Sequence, residues 1–293
     1  MIGCENRQNK KNELQIVTSI PPLFSLTANI IEGTPARLTN LVPGNASEHS
    51  WQMTSSSAAN VEKADLIIIN GAGLETYLED FLKDKKEKMV VASEGVKLIT
   101  ITSGGGSGTD DREERTSASG DGVIPNPHIW LDPANAKIMA KNISQALEKK
   151  DPTHETVYQK NTENLIAKLD ELSAEIQTRL DALSIEPFME FHDAYPYFDR
   201  AFGLKPAAVI ELTPGETPSP KYLQYLLNLM EEKSVRAIFT EPQLSPKILD
   251  LFRESYDFKV DELDPVGQEL SSDGYFIMMR KNAEAFERTF KKT

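Results

Sequence analysis

Three of the four histidines in this 293-residue chain stand beside groups that could aim an imidazole at a shared ion. His128 lies in Asn126-Pro127-His128-Ile129-Trp130-Leu131-Asp132-Pro133. The residue before each proline is pushed toward an extended conformation, and the fixed φ of Pro133 suits the first turn of a helix. A histidine held in such a turn has the fixed direction a metal ligand needs. His192 follows the strand-like run 188–191, and His49 follows Glu48 in a loop after Leu41-Val42-Pro43-Gly44. Asp264 follows the strand-like run 258–263, just before Pro265. Three imidazoles with one carboxylate suit Zn2+ in a tetrahedral shell, and Mn2+ is the alternative. The competing reading is that histidines this far apart are unrelated, and spacing alone leaves both readings open. His154, in Asp151-Pro152-Thr153-His154-Glu155, reads as a solvated surface residue.

The elements that must position these groups follow βαβα order. Runs at 14–20, 36–42, 65–71 and 89–92 read as strands, with helices over 23–31, 54–64 and 74–83 between them. Leu66-Ile67-Ile68-Ile69 is continuously apolar, as a strand buried on both faces of a parallel sheet is. A Gly- and Ser-rich, then charged, segment at 102–124 cannot build a core and reads as a mobile surface loop. Helices are predicted over 133–150 and 152–183. Leu165, Leu169, Leu172, Ile176 and Leu180 recur at three- and four-residue steps on the second. Its roughly 45 Å length, at about 1.5 Å per residue, suits a strut between two lobes, with a coiled-coil dimer as the competing reading. The order then repeats. Strands are predicted at 188–191, 207–212, 235–240 and 258–263, with helices at 195–202, 221–233, 246–255 and 273–290 and a proline-rich turn over 213–220. The fold class is therefore α/β. Its lobes are residues 13–151 and 185–293, each a mainly parallel sheet flanked by helices, joined by a rigid helix over 152–184. In such sheets ligands bind beyond the carboxyl ends of the strands. Two groups from each lobe, His49 with His128 and His192 with Asp264, would then place an ion in the cleft.

Bulk properties narrow the partners. Hydrophobic residues make 39% and charged residues 26% of the chain, ordinary values for a globular protein. The net charge of −13 speaks against nucleic acid, which calls for a basic face. No run reaches the roughly 20 apolar residues of a membrane span. The sole cysteine, Cys4, follows Ile2-Gly3 and precedes a polar run, so residues 1–12 read as a tether. Ile-Gly-Cys looks like the end of a bacterial lipoprotein signal, and an incidental cysteine is the other reading.

Together these segments resemble the solute-binding proteins of bacterial zinc and manganese ABC importers, the metal-binding cluster A-I family. The resemblance covers nearly the whole chain. It is carried by Leu41-Val42-Pro43-Gly44 with Glu48-His49, by the His128 segment, and by Phe191-His192-Asp193-Ala194-Tyr195-Pro196-Tyr197-Phe198. Phe239-Thr240-Glu241-Pro242-Gln243 and Leu263-Asp264-Pro265-Val266-Gly267 complete it. It implies two lobes on a rigid helix, with a metal between them held by His49, His128, His192 and, at the carboxylate position, Asp264. Glu48 is the substitute ligand or an outer partner, and Asp132 and Asp193 are hydrogen-bond partners that hold loops. It also implies a monomer outside the cytoplasm, lipid-anchored through Cys4, that captures Zn2+ or Mn2+ and delivers it to a membrane permease. Two departures stand out: the 102–124 loop has no histidine where zinc-importing members often carry many, and Ser50-Trp51-Gln52-Met53-Thr54 replaces the usual residues after the first histidine. The rival functions are a metal-dependent hydrolase, which would keep one coordination position open for water, and a surface adhesin. No nucleophile motif supports the hydrolase.

Overall fold

The computed structural model describes residues 13–44, 46–102, 123–211, 218–243 and 248–291. Cys4 with the tether, most of the 102–124 loop, residues 212–217 of the proline-rich turn and the start of the 246–255 helix lie outside them.

The first sheet contains β1 (Gln15–Thr18), β2 (Arg37–Asn40), β3 (Leu66–Ile69) and β4 (Met89–Val91), in the order β2-β1-β3-β4 and wholly parallel. The second contains β7 (Phe188–His192), β8 (Ala208–Glu211), β9 (Ala237–Thr240) and β10 (Lys259–Glu262), in the order β10-β9-β7-β8 and again parallel. Counted along the chain, both sheets have the same arrangement: first strand inside, second at one edge, third and fourth on the other side. Each therefore has one switch point, between β1 and β3 and between β7 and β9. A crevice opens there beyond the carboxyl ends of the strands. Two short strands, β5 (Thr100–Thr102) and β6 (Val123–Pro125), pair antiparallel at the base of the long loop.

The helices are α1 (Pro21–Ile30), α2 (Ser55–Lys63), α3 (Glu79–Leu82), α4 (Pro133–Lys150), α5 (Glu155–Asp181), α6 (Pro196–Phe202), α7 (Pro220–Lys233), α8 (Leu249–Arg253) and α9 (Gly274–Phe290). Pro21 and Pro22 do not merely stop β1; they form the first turn of α1, where a missing N–H costs nothing. The predicted 74–83 helix is broken into a 3-10 turn, Thr76–Leu78, and the four residues of α3. Gly71 and Gly73 just before it take positive φ, so the chain leaves β3 by a tight turn and not by a helical entry. Asp132 caps α4, its Oδ1 accepting from the Ala134 N–H at 2.8 Å, and Pro133 takes the first helical position.

Strand periodicity divides the core into three layers. Ile16 and Ile68 of the first sheet and Phe188, Ala237 and Phe239 of the second face inward to one continuous core. Residues from α1, α4, α5 and α9 fill it, among them the buried stripe Tyr158, Leu165, Leu169, Leu172, Ile176 and Leu180 of α5. The opposite faces are covered separately. Val17, Ile67 and Ile69 pack with Val61 of α2, while Met189, Phe191 and Ile238 pack with Leu226 and Met230 of α7. The long helix thus lays its apolar stripe on a core that both sheets share. Arg179 reaches from α5 to Glu287 of α9 through two nitrogens, at 3.0 and 2.7 Å, and Arg280 returns from α9 to Glu175.

Polar contacts close the rest of the seam. The Trp130 indole N–H donates to the Pro265 carbonyl at 2.6 Å, and the Tyr275 hydroxyl donates to the Trp130 carbonyl at 2.8 Å. Gly44 lies so close to Gln268 that an added Cβ would stand 2.5 Å from its Cα. Gly44→Ala must therefore push two backbone segments apart, and is expected to cost about 1–3 kcal/mol. Thermal unfolding checks this; an unchanged midpoint would show that the seam yields freely.

Candidate metal centre

His49, His128 and His192 come together from three separate places in the chain, each offering a ring nitrogen within 4.8 Å of the other two. Their ring centroids lie 4.9–5.1 Å apart, edge to face. His128 and His192 are buried, and the His49 side chain remains 26% exposed, so it forms the solvent side of the cluster.

His192 is the last residue of β7. A period of two puts Phe188, Glu190 and His192 on the inward face. Its Nδ1 stands 3.2 and 3.3 Å from the two carboxylate oxygens of Glu241, which turns the Nε2 edge away from that carboxylate. His128 lies in the turn that opens α4. Its Nδ1 and its backbone N–H both donate to the Asn126 side-chain oxygen at 3.0 Å. The Asn126 amide crosses to the second lobe and donates to the Asp193 carbonyl at 2.7 Å, and the Tyr197 hydroxyl donates to the Asn126 carbonyl at 3.1 Å. The first-lobe turn carrying His128 is thereby tied to the loop beside His192. Asn70 also holds it, donating to the Pro127 carbonyl at 2.9 Å.

His49 comes from the loop between β2 and α2, and its Nε2 stands 3.1 Å from Nε2 of His128. Beside it, Glu48 is buried. Its Oε1 lies 3.3 Å from Nε2 of His128 and 3.6 Å from Nε2 of His49, and has no hydrogen-bond partner among the described residues.

The group the histidines form contains neither Glu48 nor the expected fourth ligand, Asp264. Its Oδ1 accepts from the Gln243 amide at 3.1 Å and from the backbone N–H groups of Val266 and Gly267 at 3.2 and 2.9 Å, which folds its own loop. His154 is not purely solvated either: its Nδ1 meets Asp151 at 2.7 Å where α4 passes to α5. Asp132 caps α4 and pairs with Arg200. Glu241 and Asn126 had no assigned role before the fold was known. The signal for Glu241 was its place at the end of an apolar strand, where His192 also stands. Trp51 packs edge to face on Tyr77, making a wall of the first lobe.

Electrostatics separate the three rings. Burial, and then the neighbouring His128, holds His49 well below the usual imidazole range, against the pull of Glu48. Burial, and then His192, holds His128 well below that range too. For His192 burial also acts downward, but the Glu241 charge and hydrogen bond outweigh it, and the ring ends above its usual value. Glu241 itself is raised by burial, with Glu48 and Asp264 adding to the rise and His192 opposing it. Two first-lobe nitrogens are thus kept neutral, as a metal ligand must be.

A three-histidine cluster beneath one solvent-facing ring is what comparison with known proteins resolves. The family model for the periplasmic zinc-uptake complex component A, ZnuA, matches residues 16–289. The chain belongs to this family. The high-affinity zinc uptake system protein ZnuA of Brucella suis is 29% identical over 308 residues, covering 94% of this chain and 92% of that one. A crystal structure of a ZnuA deletion mutant with zinc bound superposes with a TM-score of 0.76 at 26% identity, covering 94% and 98%. A laminin-binding adhesin of Streptococcus agalactiae has the same fold, with a TM-score of 0.78 at 25% identity over 95% and 100%. As a ZnuA-family member the chain is a zinc- or manganese-binding component of an ABC uptake system, working outside the cytoplasm. The family is one of transport binding proteins and not of enzymes, so the hydrolase reading falls. The ion is cargo, not a cofactor, and the family implies a permease as partner. No helix among the described residues is long and apolar enough to cross a membrane.

Proposed function

We propose that this protein captures Zn2+ between its lobes through Nε2 of His49, His128 and His192 and a carboxylate oxygen of Glu48, and hands the ion to the membrane permease. The supporting observation is a triangle. A tetrahedral zinc with bonds of about 2.0–2.1 Å separates its ligand atoms by roughly 3.3 Å. The edges between Nε2 of His49, Nε2 of His128 and Oε1 of Glu48 are 3.1, 3.3 and 3.6 Å. His192 supplies the second lobe's corner. Three nitrogens with one oxygen favour zinc over manganese, and the relatives named for zinc uptake agree with that choice. Cys4 as a lipid anchor at the outer face of the membrane belongs to the same reading.

Release follows from where the ligands are mounted. His128 and His192 are tied to each other across the seam, while His49 and Glu48 sit together on the 43–54 loop. We assign release to movement of that loop when the permease docks, with the lobes keeping their relation.

The test is competition dialysis with equimolar Zn2+ and Mn2+ across pH. Zinc is retained. Its affinity falls on acidification, because a protonated ring cannot bind metal and His192 takes its proton above the usual 6.5. The expected loss is on the order of tenfold per pH unit once that ring must give up its proton. Preferential retention of manganese, or an affinity indifferent to pH, would defeat the proposal.

A further inference from the structure

We infer that Glu241 is a positioning residue for metal capture, selecting the Nδ1–H form of His192 so that Nε2 faces the ion. The inference rests on the metal-binding reading above and adds a residue to it.

Register explains why Glu241 can do this. β7 and β9 pair in parallel, with Phe188 level with Ala237, Met189 with Ile238 and Glu190 with Phe239. Two residues on, His192 stands level with Glu241, and both project to the inward face as Phe188 and Phe239 do. This is the switch point of the second sheet, where the crevice must open. Both carboxylate oxygens lie about equally far from Nδ1, at 3.2 and 3.3 Å, so either can accept its proton. A ring that donates from Nδ1 keeps its lone pair on Nε2, and an anionic acceptor makes that lone pair more basic.

The equivalent point of the first sheet gives the contrast. Glu75 is buried beside the ends of β1 and β3, but its oxygens are consumed. Oε1 accepts from the Ser19 hydroxyl at 2.7 Å and the Asn70 N–H at 2.6 Å, and Oε2 accepts from the Gly71 N–H at 2.9 Å. It holds backbone, and the first-lobe ligand His128 takes its acceptor from the neutral Asn126 side chain instead. The cluster therefore has one ring oriented by an amide and one by a carboxylate. If orientation is the need, an amide at position 241 should serve nearly as well, as Asn126 does for His128.

The experiment compares the wild type, Glu241→Ala and Glu241→Gln. Zinc affinity is read by competition with a chromogenic chelator. The tautomer of His192 in metal-free protein is read by long-range proton–nitrogen NMR on histidine-labelled samples, above the imidazole titration range. Glu241→Ala is expected to weaken zinc binding 10–100-fold, the usual cost of losing such a partner, and to populate both tautomers. Glu241→Gln recovers most of the loss and keeps the Nδ1–H form, which a merely structural role would not require. Wild-type affinity in Glu241→Ala, an unchanged tautomer there, or a glutamine no better than alanine overturns the inference. A wild type that holds no zinc overturns the transport reading itself, and so the two failures are distinct.

Discussion

His128→Ala is expected to remove high-affinity zinc capture. The ring it deletes is 1% exposed, held from behind by Asn126 at 3.0 Å and facing His49 at 3.1 Å. Structural zinc sites bind with apparent free energies of about 10–16 kcal/mol. An equal share among four ligands is about 3 kcal/mol, or a loss of more than 100-fold. The true loss is expected to be larger, because the remaining groups could not close a tetrahedron. The measurement is zinc affinity in a variant shown by circular dichroism to be folded. Substituting His49, His128 and His192 together should leave no stoichiometric metal. Retention of wild-type affinity by the single variant would refute the assigned shell.

The second large effect separates two carboxylates. Glu48→Gln is expected to weaken zinc binding about 100-fold, since the ligand oxygen it alters has no other partner to release. Asp264→Ala is expected to act on stability instead. It strips the acceptor from the Val266 and Gly267 N–H groups and from Gln243, at a cost of about 1–3 kcal/mol. Asp264→Asn keeps an oxygen in that place and should restore most of the stability, with zinc affinity near the wild type throughout. If Asp264→Asn lost zinc while Glu48→Gln kept it, the carboxylate at 264 would belong to the shell and Glu48 would not.

These two residues also mark how far the sequence could be read. The histidines were legible because each sits beside a feature with its own local signature: prolines around His128, a strand end before His192, a turn before His49. The α/β order and the long helix were legible for the same reason, since apolar periodicity is a local signal. The choice between Asp264 and Glu48 was not legible, because which carboxylate reaches the ion depends on how two lobes meet. Asp264-Pro265-Val266-Gly267 did carry a clue, for an aspartate followed by a turn readily binds the backbone two and three residues on. The strands β5 and β6 were missed because each has three residues and the pairing spans the long loop. The fate of residues 74–83 turned on glycine backbone angles that periodicity cannot register. Glu241 needed the register of two strands 45 or more residues apart in the chain.

The shared inner core has a consequence for how the molecule comes apart. Ile68 of one sheet and Phe239 of the other belong to one continuous apolar cluster covered by the apolar face of α5. Neither sheet can melt without exposing the helix face that the other also needs, so the two halves denature as a single cooperative unit despite their matching topologies. An ion gripped by residues from both halves then protects the entire chain by mass action, in proportion to the logarithm of its concentration over its dissociation constant. On that reading the loaded carrier is expected to resist proteolysis better than the empty one.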